Sequence, residues 1–254
     1  MTGADEQWGA ALRLLWGPPA KPARGPKRGL TLEGIAGAGV VLADAEGLAG
    51  VSMQGVAGQL AVTKMALYRY VPGKAELIAL MVEAAMPDAS VLDGRPAEEG
   101  WRERLGAWAR ELLAGFRAHP WLLEATVGAR VMGPGEVGWM ERALAALDGC
   151  GLTGAESIDA VVLLSGHVRG IAEQERAMGG GAGGVSGEGP DAQLTTVLGE
   201  VMRVHGERYP ALGAALASAA EAGGQDQALD FGLERILDGL GQLVAERAGG
   251  RGRG

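Results

Sequence analysis

Apolar residues recur every three or four positions along most of this 254-residue chain, and no segment alternates apolar and polar residues as a half-buried strand would. Ala, Leu and Gly dominate, whereas β-branched runs and aromatic residues are scarce, which favours helices over sheets. Hydrophobic residues make up 47% and charged residues 21% of the chain, as in an ordinary globular protein. The sequence therefore predicts an all-α fold, with a small helical domain followed by a larger one.

Residues 30–86 carry the signals of four short helices joined by tight turns. Ser and Thr are favoured as N-cap residues, Gly is favoured just after the end of a helix, and a Pro-Gly pair ends a helix. Helical spacing begins at Thr31, these signals stand at Gly47, Ser52, Thr63 and Pro72-Gly73, and the last helix is predicted from Lys74 to Met86. Together they indicate one small helical domain.

The middle of this domain, from Ser52 to Tyr70, has the pattern of a helix-turn-helix. Ala57 supplies a small residue where the two helices cross, and apolar residues of both helices face a shared core. Because the second helix follows a tight turn, its N-terminal edge is free to enter the major groove of DNA. Its exposed positions are predicted to be Thr63, Lys64, Met65, Tyr68 and Arg69.

Charge is distributed unevenly along the chain. The whole sequence has a net charge of −8, yet residues 21–74 hold seven basic and three acidic residues, a net of +4. All four lysines lie in this segment: Lys21, Lys27, Lys64 and Lys74. A small basic region in an acidic protein indicates a localised contact with a polyanion such as DNA.

Three stretches of the small domain resemble the DNA-binding domain of the TetR family of transcriptional regulators. They are Leu-Ala-Asp-Ala-Glu-Gly at 42–47, Val-Ser-Met-Gln-Gly-Val-Ala-Gly-Gln-Leu-Ala-Val at 51–62 and Met-Ala-Leu-Tyr-Arg-Tyr-Val-Pro-Gly-Lys-Ala-Glu-Leu at 65–77. The family signature Leu-Tyr-x-His-Val-x-x-Lys-x-x-Leu is met at Leu67, Tyr68, Val71, Lys74 and Leu77. The acidic remainder, with Trp101 and His119-Pro120-Trp121, is similar to the C-terminal domain of the tetracycline-repressor-like branch.

Two residues depart from the family pattern. Ala61 stands in the turn, where the family usually has glycine because φ is positive there. Keeping that conformation with alanine costs about 1 kcal/mol. Tyr70 replaces the usual histidine, which alters a phosphate contact that the resemblance implies.

The resemblance implies a role for each exposed side chain of the motif. Tyr68 and Lys74 would hold phosphates and set the register, whereas Thr63, Lys64 and Met65 would meet base edges. Gln54, on the first motif helix, would reach an adenine or a phosphate. The full DNA-binding set is predicted to be Gln54, Thr63, Lys64, Met65, Tyr68, Arg69, Tyr70 and Lys74.

Residues 1–29 are predicted to form a flexible basic arm, because prolines at 18, 19, 22 and 26 oppose a continuous helix. Within it, the apolar stretch from Trp8 to Trp16 would form a helical turn or dock on another part of the chain. Two interpretations of the arm stay open. Its basic side chains would lie in the neighbouring minor groove, or the arm is a solubility tail. The residues concerned are Lys21, Arg24, Lys27 and Arg28.

Residues 95–248 are predicted to form a helical domain that binds a small molecule and dimerises. Helices are predicted at about 98–119, 121–131, 136–149, 155–178, 191–207 and 225–247, with a glycine-rich loop at 179–190. The helices at 155–178 and 225–247 would pair with their symmetry mates in a four-helix bundle, as the resemblance implies. Residues proposed to line a ligand site are Trp108, Phe116, Trp121 and Trp139, with His167 or Arg169 as the polar group. The aromatic residues equally fit a closed core, and His167 equally fits a core or dimer-interface position.

Nothing in the sequence predicts an enzyme, a cofactor or a metal. The three histidines, at 119, 167 and 205, are far apart and have no catalytic or zinc-ligand spacing. The single cysteine, Cys150, excludes an internal disulfide. No apolar run reaches the length of a membrane span, and the N-terminus is a poor signal peptide, so a cytoplasmic protein is expected.

These features predict a homodimeric repressor that a small molecule releases from a palindromic double-stranded operator. A ligand-dependent activator would share all of them and stays open as an alternative. A second alternative is a helical small-molecule-binding protein whose DNA-binding domain has decayed. The few charges on the recognition helix, Lys64 and Arg69, and the alanine at position 61 favour this second alternative.

Overall fold

The computed structural model describes residues 3–18, 30–88, 93, 99–179, 190–221 and 228–251, and within these residues the regular structure is entirely helical. A first group of helices comprises α1 (Gly3–Trp16), α2 (Leu32–Gly50), α3 (Met53–Gln59), α4 (Lys64–Tyr68) and α5 (Lys74–Ala85). A second group comprises α6 (Trp101–Ala118), α7 (Leu122–Ala125), α8 (Pro134–Ala146), α9 (Gly154–Gly179), α10 (Pro190–His205), α11 (Pro210–Glu221) and α12 (Ala228–Arg251). The predicted all-α fold is confirmed.

Helices α2 to α5 form the predicted small domain, and α2 packs along α5. Thr31, Ser52 and Thr63 cap α2, α3 and α4 by accepting hydrogen bonds from backbone N–H groups three residues later. Gly47 has φ 72° and ψ 174°, so it breaks the helical geometry inside α2 where a C-cap is predicted. The core residues of the domain include the fully buried Ile35, Val56, Ala57, Leu67, Leu77 and Met81.

The prediction of a flexible arm is wrong for the first part of residues 1–29. Gly3–Trp16 form helix α1, which packs against α5. The prolines that oppose a helix begin only at position 18, and half-buried Leu14 and Leu15 pack on the core. Burial of that apolar face stabilises the helix. The remaining arm, with Lys21, Arg24, Lys27 and Arg28, lies outside the described residues.

The second group is built around α9, which packs against α6, α8 and α12. Its buried residues Val161, Leu164 and Val168 face a core that also holds Leu105 and Leu233. Thr153 and Glu156 cap the start of α9 reciprocally, since each side chain accepts a hydrogen bond from the other residue's backbone N–H. The Thr153 N–H and the Arg247 guanidinium, followed by the Thr153 hydroxyl, lower the pKa of the Glu156 carboxyl.

Two helix predictions in this group are wrong. Instead of one helix over 121–131, α7 ends at Ala125 and the chain continues as a loop to Gly133. The Thr126 hydroxyl donates to the Leu122 carbonyl, and Gly128 adopts φ 84°, so the helix does not continue. Helix α11 lies in a segment for which no helix was predicted. Of the glycine-rich loop at 179–190, residues 180–189 lie outside the described part of the chain.

A search of the described residues finds no helix long and apolar enough to cross a membrane.

Candidate DNA-binding surface and effector domain

The turn between α3 and α4 has the geometry of a helix-turn-helix. The Val62 N–H donates to the Ala57 carbonyl and the Ala61 N–H to the Gly58 carbonyl, so the chain reverses tightly after Leu60. Ala61 adopts φ 53°, the left-handed conformation that the family pattern assigns to glycine. The turn is therefore kept despite the alanine, and the predicted backbone strain is present.

Replacing Ala61 with glycine is expected to raise the free energy of unfolding by about 1 kcal/mol, because glycine adopts this φ without a Cβ penalty. Thermal unfolding followed by circular dichroism measures the change. Ala114→Gly, at an exposed position inside α6, is the matched control and should lower stability by up to about 1 kcal/mol. Equal destabilisation by both substitutions would contradict a strained turn.

The structure exposes every residue of the predicted DNA-binding set. Met65 is more exposed than either tyrosine of the set, because 75% of its surface is open to solvent. Lys64 Nζ lies 5.6 Å from the centroid of the Tyr68 ring, a cation–π contact that orients the lysine along the surface of α4. The exposed set is Gln54, Thr63, Lys64, Met65, Tyr68, Arg69, Tyr70 and Lys74.

This surface is supported from behind by apolar residues of the same segment. Leu67 is fully buried between the exposed Met65 and Tyr68, and Val71 is fully buried after the end of α4. The N–H groups of Tyr70 and Val71 both donate to the Leu67 carbonyl, which closes the last turn. Because α4 is anchored in this way, its leading residues 63–65 stay open to solvent.

The aromatic residues predicted to line a ligand site are core residues. Trp108, Phe116, Trp121 and Trp139 are each at most 8% exposed. Trp108 and Trp139 form a tilted pair with centroids 6.1 Å apart, and the Trp108 indole donates to the Trp139 carbonyl at 2.8 Å. The Trp139 indole in turn donates to the Pro87 carbonyl.

The other two aromatic residues face different partners. The Trp121 indole donates to Asp44 Oδ1 of α2 at 2.8 Å, whereas Arg169 lies over the Phe116 ring at 5.9 Å. The four residues are thus distributed over three contacts, and their role in ligand binding stays a prediction.

His167 and Arg169, the predicted polar groups, make structural contacts. His167 Nε2 lies 3.1 Å from the Leu229 carbonyl of α12; a carbonyl only accepts, so this nitrogen carries the proton. Arg169 donates to the Leu123 carbonyl and the Thr126 hydroxyl at the end of α7. Both side chains therefore join α9 to neighbouring helices.

Two carboxylates that the sequence did not single out join the two groups of helices. Asp44 Oδ1 of α2 accepts hydrogen bonds from both the Trp121 indole and His119 Nδ1, each at 2.8 Å. Glu83 Oε1 of α5 accepts from the backbone N–H of Gly135 at the start of α8, at 2.7 Å. No local sequence pattern predicts such contacts, because their partners are 52 to 77 positions away.

Comparison with known proteins identifies the family. Residues 94–244 match the family described as tetracyclin repressor-like, C-terminal domain. Over 246 residues the chain is 41% identical to the HTH-type transcriptional repressor DrrR1 of Streptomyces coeruleorubidus, covering 94% of this chain and 87% of that protein.

Solved structures agree with this match. Apo ActR from Streptomyces coelicolor superposes with a TM-score of 0.68 at 26% identity, covering 88% of this chain and 99% of that chain. ActR in complex with actinorhodin also gives 0.68, at 25% identity and with 85% and 99% covered. With its helix-turn-helix followed by a helical second domain, the chain belongs to the TetR family of transcriptional regulators.

Proposed function

We propose that this protein is a ligand-responsive transcriptional repressor that binds a palindromic operator as a homodimer. The observation behind this proposal is the leading edge of α4, where Thr63, Lys64 and Met65 are exposed to solvent and supported by the buried Leu67. The 41% identity to a repressor favours repression over activation. A regulator of this kind acts without catalysis and works in the cytoplasm, where its operator is.

The exposed side chains fall into two roles. Tyr68 and Lys74 hold phosphates and fix the register, and their contacts are independent of sequence. Thr63, Lys64 and Met65 meet base edges, where the apolar Met65 suits the methyl group of thymine. Gln54, Arg69 and Tyr70 border this surface and add contacts to the sugar-phosphate backbone of the DNA.

Helices α9 and α12 provide the surface for the second protomer. Both contribute buried residues to their own domain, and both also carry large apolar side chains that are exposed in one protomer: Ile158, Val162, Leu163 and Phe231. Pairing the two helices with their symmetry mates removes these side chains from water, which is favourable. A dimer built in this way places two α4 helices on successive turns of DNA.

The effector is a small molecule that binds in the second domain, α6 to α12. ActR, which superposes on this chain, has been solved with actinorhodin bound, so actinorhodin is the first probe to test. Release requires that the effector-bound dimer bind the operator more weakly than the free dimer does. The coupling free energy between two such sites is about 1–3 kcal/mol in typical allosteric proteins.

The proposed function is tested by selecting bound sequences from a random DNA pool and measuring the selected site in a gel shift. A palindromic consensus with half-sites about one helical turn apart is expected, bound by a dimer as measured by light scattering. The absence of a retarded complex even at low salt would contradict the proposal and favour a decayed DNA-binding domain.

Replacing Lys74 with alanine is expected to weaken operator binding about tenfold at 0.1 M salt and to flatten the salt dependence by about one unit, because one phosphate contact is lost. The loss should be similar for specific and non-specific DNA. Fluorescence anisotropy at several salt concentrations measures both quantities.

Met65→Ala is the control for this prediction. It should leave the salt slope unchanged and reduce discrimination between operator variants, because Met65 carries no charge. An unchanged affinity and slope for Lys74→Ala would rule out a phosphate contact at this lysine.

A further inference from the structure

Helix α1 reaches from the DNA-binding domain to the effector domain. At its C-terminal end, the indole N–H of Trp16 donates to the Met132 carbonyl at 2.9 Å, across 116 positions of sequence. Met132 belongs to the loop between α7 and α8, so this hydrogen bond joins the first helix of the chain to the second group of helices.

The rest of α1 is fixed to the DNA-binding domain. The helix packs along α5, and Leu14 and Leu15 are half-buried against the core. Because α5 also packs against α2, movement of the DNA-binding domain carries α1 with it. Helix α1 therefore contacts both groups of helices, and its C-terminal end, Leu14 to Trp16, carries contacts of both kinds.

The end of α1 is set by Gly17. Its N–H donates to the Arg13 carbonyl at 3.0 Å, and a Cβ at this position would overlap that carbonyl oxygen. The glycine allows the chain to leave the helix directly after Trp16, which keeps the indole in position to reach Met132.

The loop that receives Trp16 is held by both groups of helices. At its start, Arg169 of α9 donates to the Thr126 hydroxyl at 3.0 Å. At its end, the Gly135 N–H donates to Glu83 of α5. Between these points Val127 is 66% exposed and Gly128 has φ 84°, whereas Arg130 forms a bidentate ion pair with Glu136 in the first turn of α8. A contact at Met132 therefore acts on a segment connected to α5, α8 and α9.

We propose that α1 is a strap that couples the DNA-binding domain to the 126–133 loop of the effector domain through the Trp16–Met132 hydrogen bond. When the operator orders α5, the strap restrains the loop and the first turn of α8. By reciprocity, a change in the conformation of the loop alters the affinity for the operator through the same contact. The regulatory part of this inference rests on the proposed function, whereas the contact itself does not.

The strap is tested by hydrogen exchange at the Gly135 and Val137 amides in full-length protein. These amides donate to Glu83 Oε1 and to the Gly133 carbonyl, so their exchange reports opening of the first turn of α8. Trp16→Phe keeps an aromatic ring but removes the donor. Exchange at both amides should become about threefold to tenfold faster, as expected for loss of one hydrogen bond. Trp8→Phe, the same substitution on the same helix, should exchange like the wild type.

The second measurement adds the selected operator. Exchange at these two amides should slow at least threefold in the wild type and in Trp8→Phe, and the slowing should be reduced by half or more in Trp16→Phe. Equal exchange in Trp16→Phe and Trp8→Phe, or full operator-dependent slowing in Trp16→Phe, would overturn the strap. A gel shift on the same samples reports operator binding separately. If no complex forms, the proposed repressor function is contradicted. The exchange rates of the DNA-free variants still show whether the Trp16–Met132 hydrogen bond restrains α8.

Discussion

Replacing Trp139 with alanine is expected to lower the free energy of unfolding by about 3–5 kcal/mol, the cost of removing a large aromatic side chain from a packed core. Trp139 is 2% exposed and pairs with Trp108, and its indole donates to the Pro87 carbonyl just after α5. The substitution thus leaves a cavity and an unsatisfied carbonyl. Urea unfolding at a fixed protomer concentration measures the loss, because the stability of a dimer depends on concentration.

Trp139→Phe is the control for the hydrogen bond alone. It keeps most of the apolar volume and removes the donor to the Pro87 carbonyl, so a loss of about 1–2 kcal/mol is expected. If Trp139 instead lines an open ligand site, Trp139→Ala would cost less than about 1 kcal/mol and would chiefly weaken effector binding. That result would favour the ligand-lining role of Trp139 over the core role, both of which the sequence leaves open.

Replacing Gly232 with valine is expected to destabilise the protein by about 1–3 kcal/mol through overpacking between α9 and α12. A Cβ at Gly232 would overlap the imidazole of His167, which is held by its hydrogen bond to the Leu229 carbonyl. The two helices, which are the ones proposed to form the dimer bundle, are forced apart at this contact. Unfolding in urea and sedimentation at several concentrations measure the effects on stability and on dimerisation.

A double-mutant cycle with His167→Ala isolates this contact. In the His167→Ala background the space next to Gly232 is open, so Gly232→Val should cost less than half of its effect in the wild type. Additive effects of the two substitutions would show that the imidazole is not what opposes a side chain at position 232.

The helices of the DNA-binding domain were predictable because their signals are local. Ser52 and Thr63 are predicted N-caps whose partners lie three residues away, and each makes that hydrogen bond. Thr31 caps α2 in the same way. The left-handed Ala61 was predicted from the family pattern, since a tight turn requires that conformation at this position. Exposure of Met65 and Tyr68 followed from helical periodicity around the buried Leu67.

Contacts between distant segments were not predictable in this way. The arm prediction weighed the prolines from position 18 onwards. It allowed a helical turn or docking of the apolar stretch at 8–16, but it did not indicate that α5 is the surface against which residues 3–16 form a helix. Nothing near Asp44 in the sequence indicates Trp121 as its partner, and nothing near Glu83 indicates the start of α8. Periodicity places Trp108 and Trp139 on inward faces, but it cannot distinguish a closed core from a ligand-lined cavity.

The exposed lysines of the recognition surface have a practical consequence. Lys64 and Lys74 are both open to solvent, and the only other side-chain amines, Lys21 and Lys27, belong to the same N-terminal segment. An amine-selective reagent therefore modifies side chains only there and leaves those of the effector half chemically untouched. If Lys64 and Lys74 contact the operator as proposed, neutralising these amines with such a reagent is expected to weaken operator binding without modifying any side chain of the effector half.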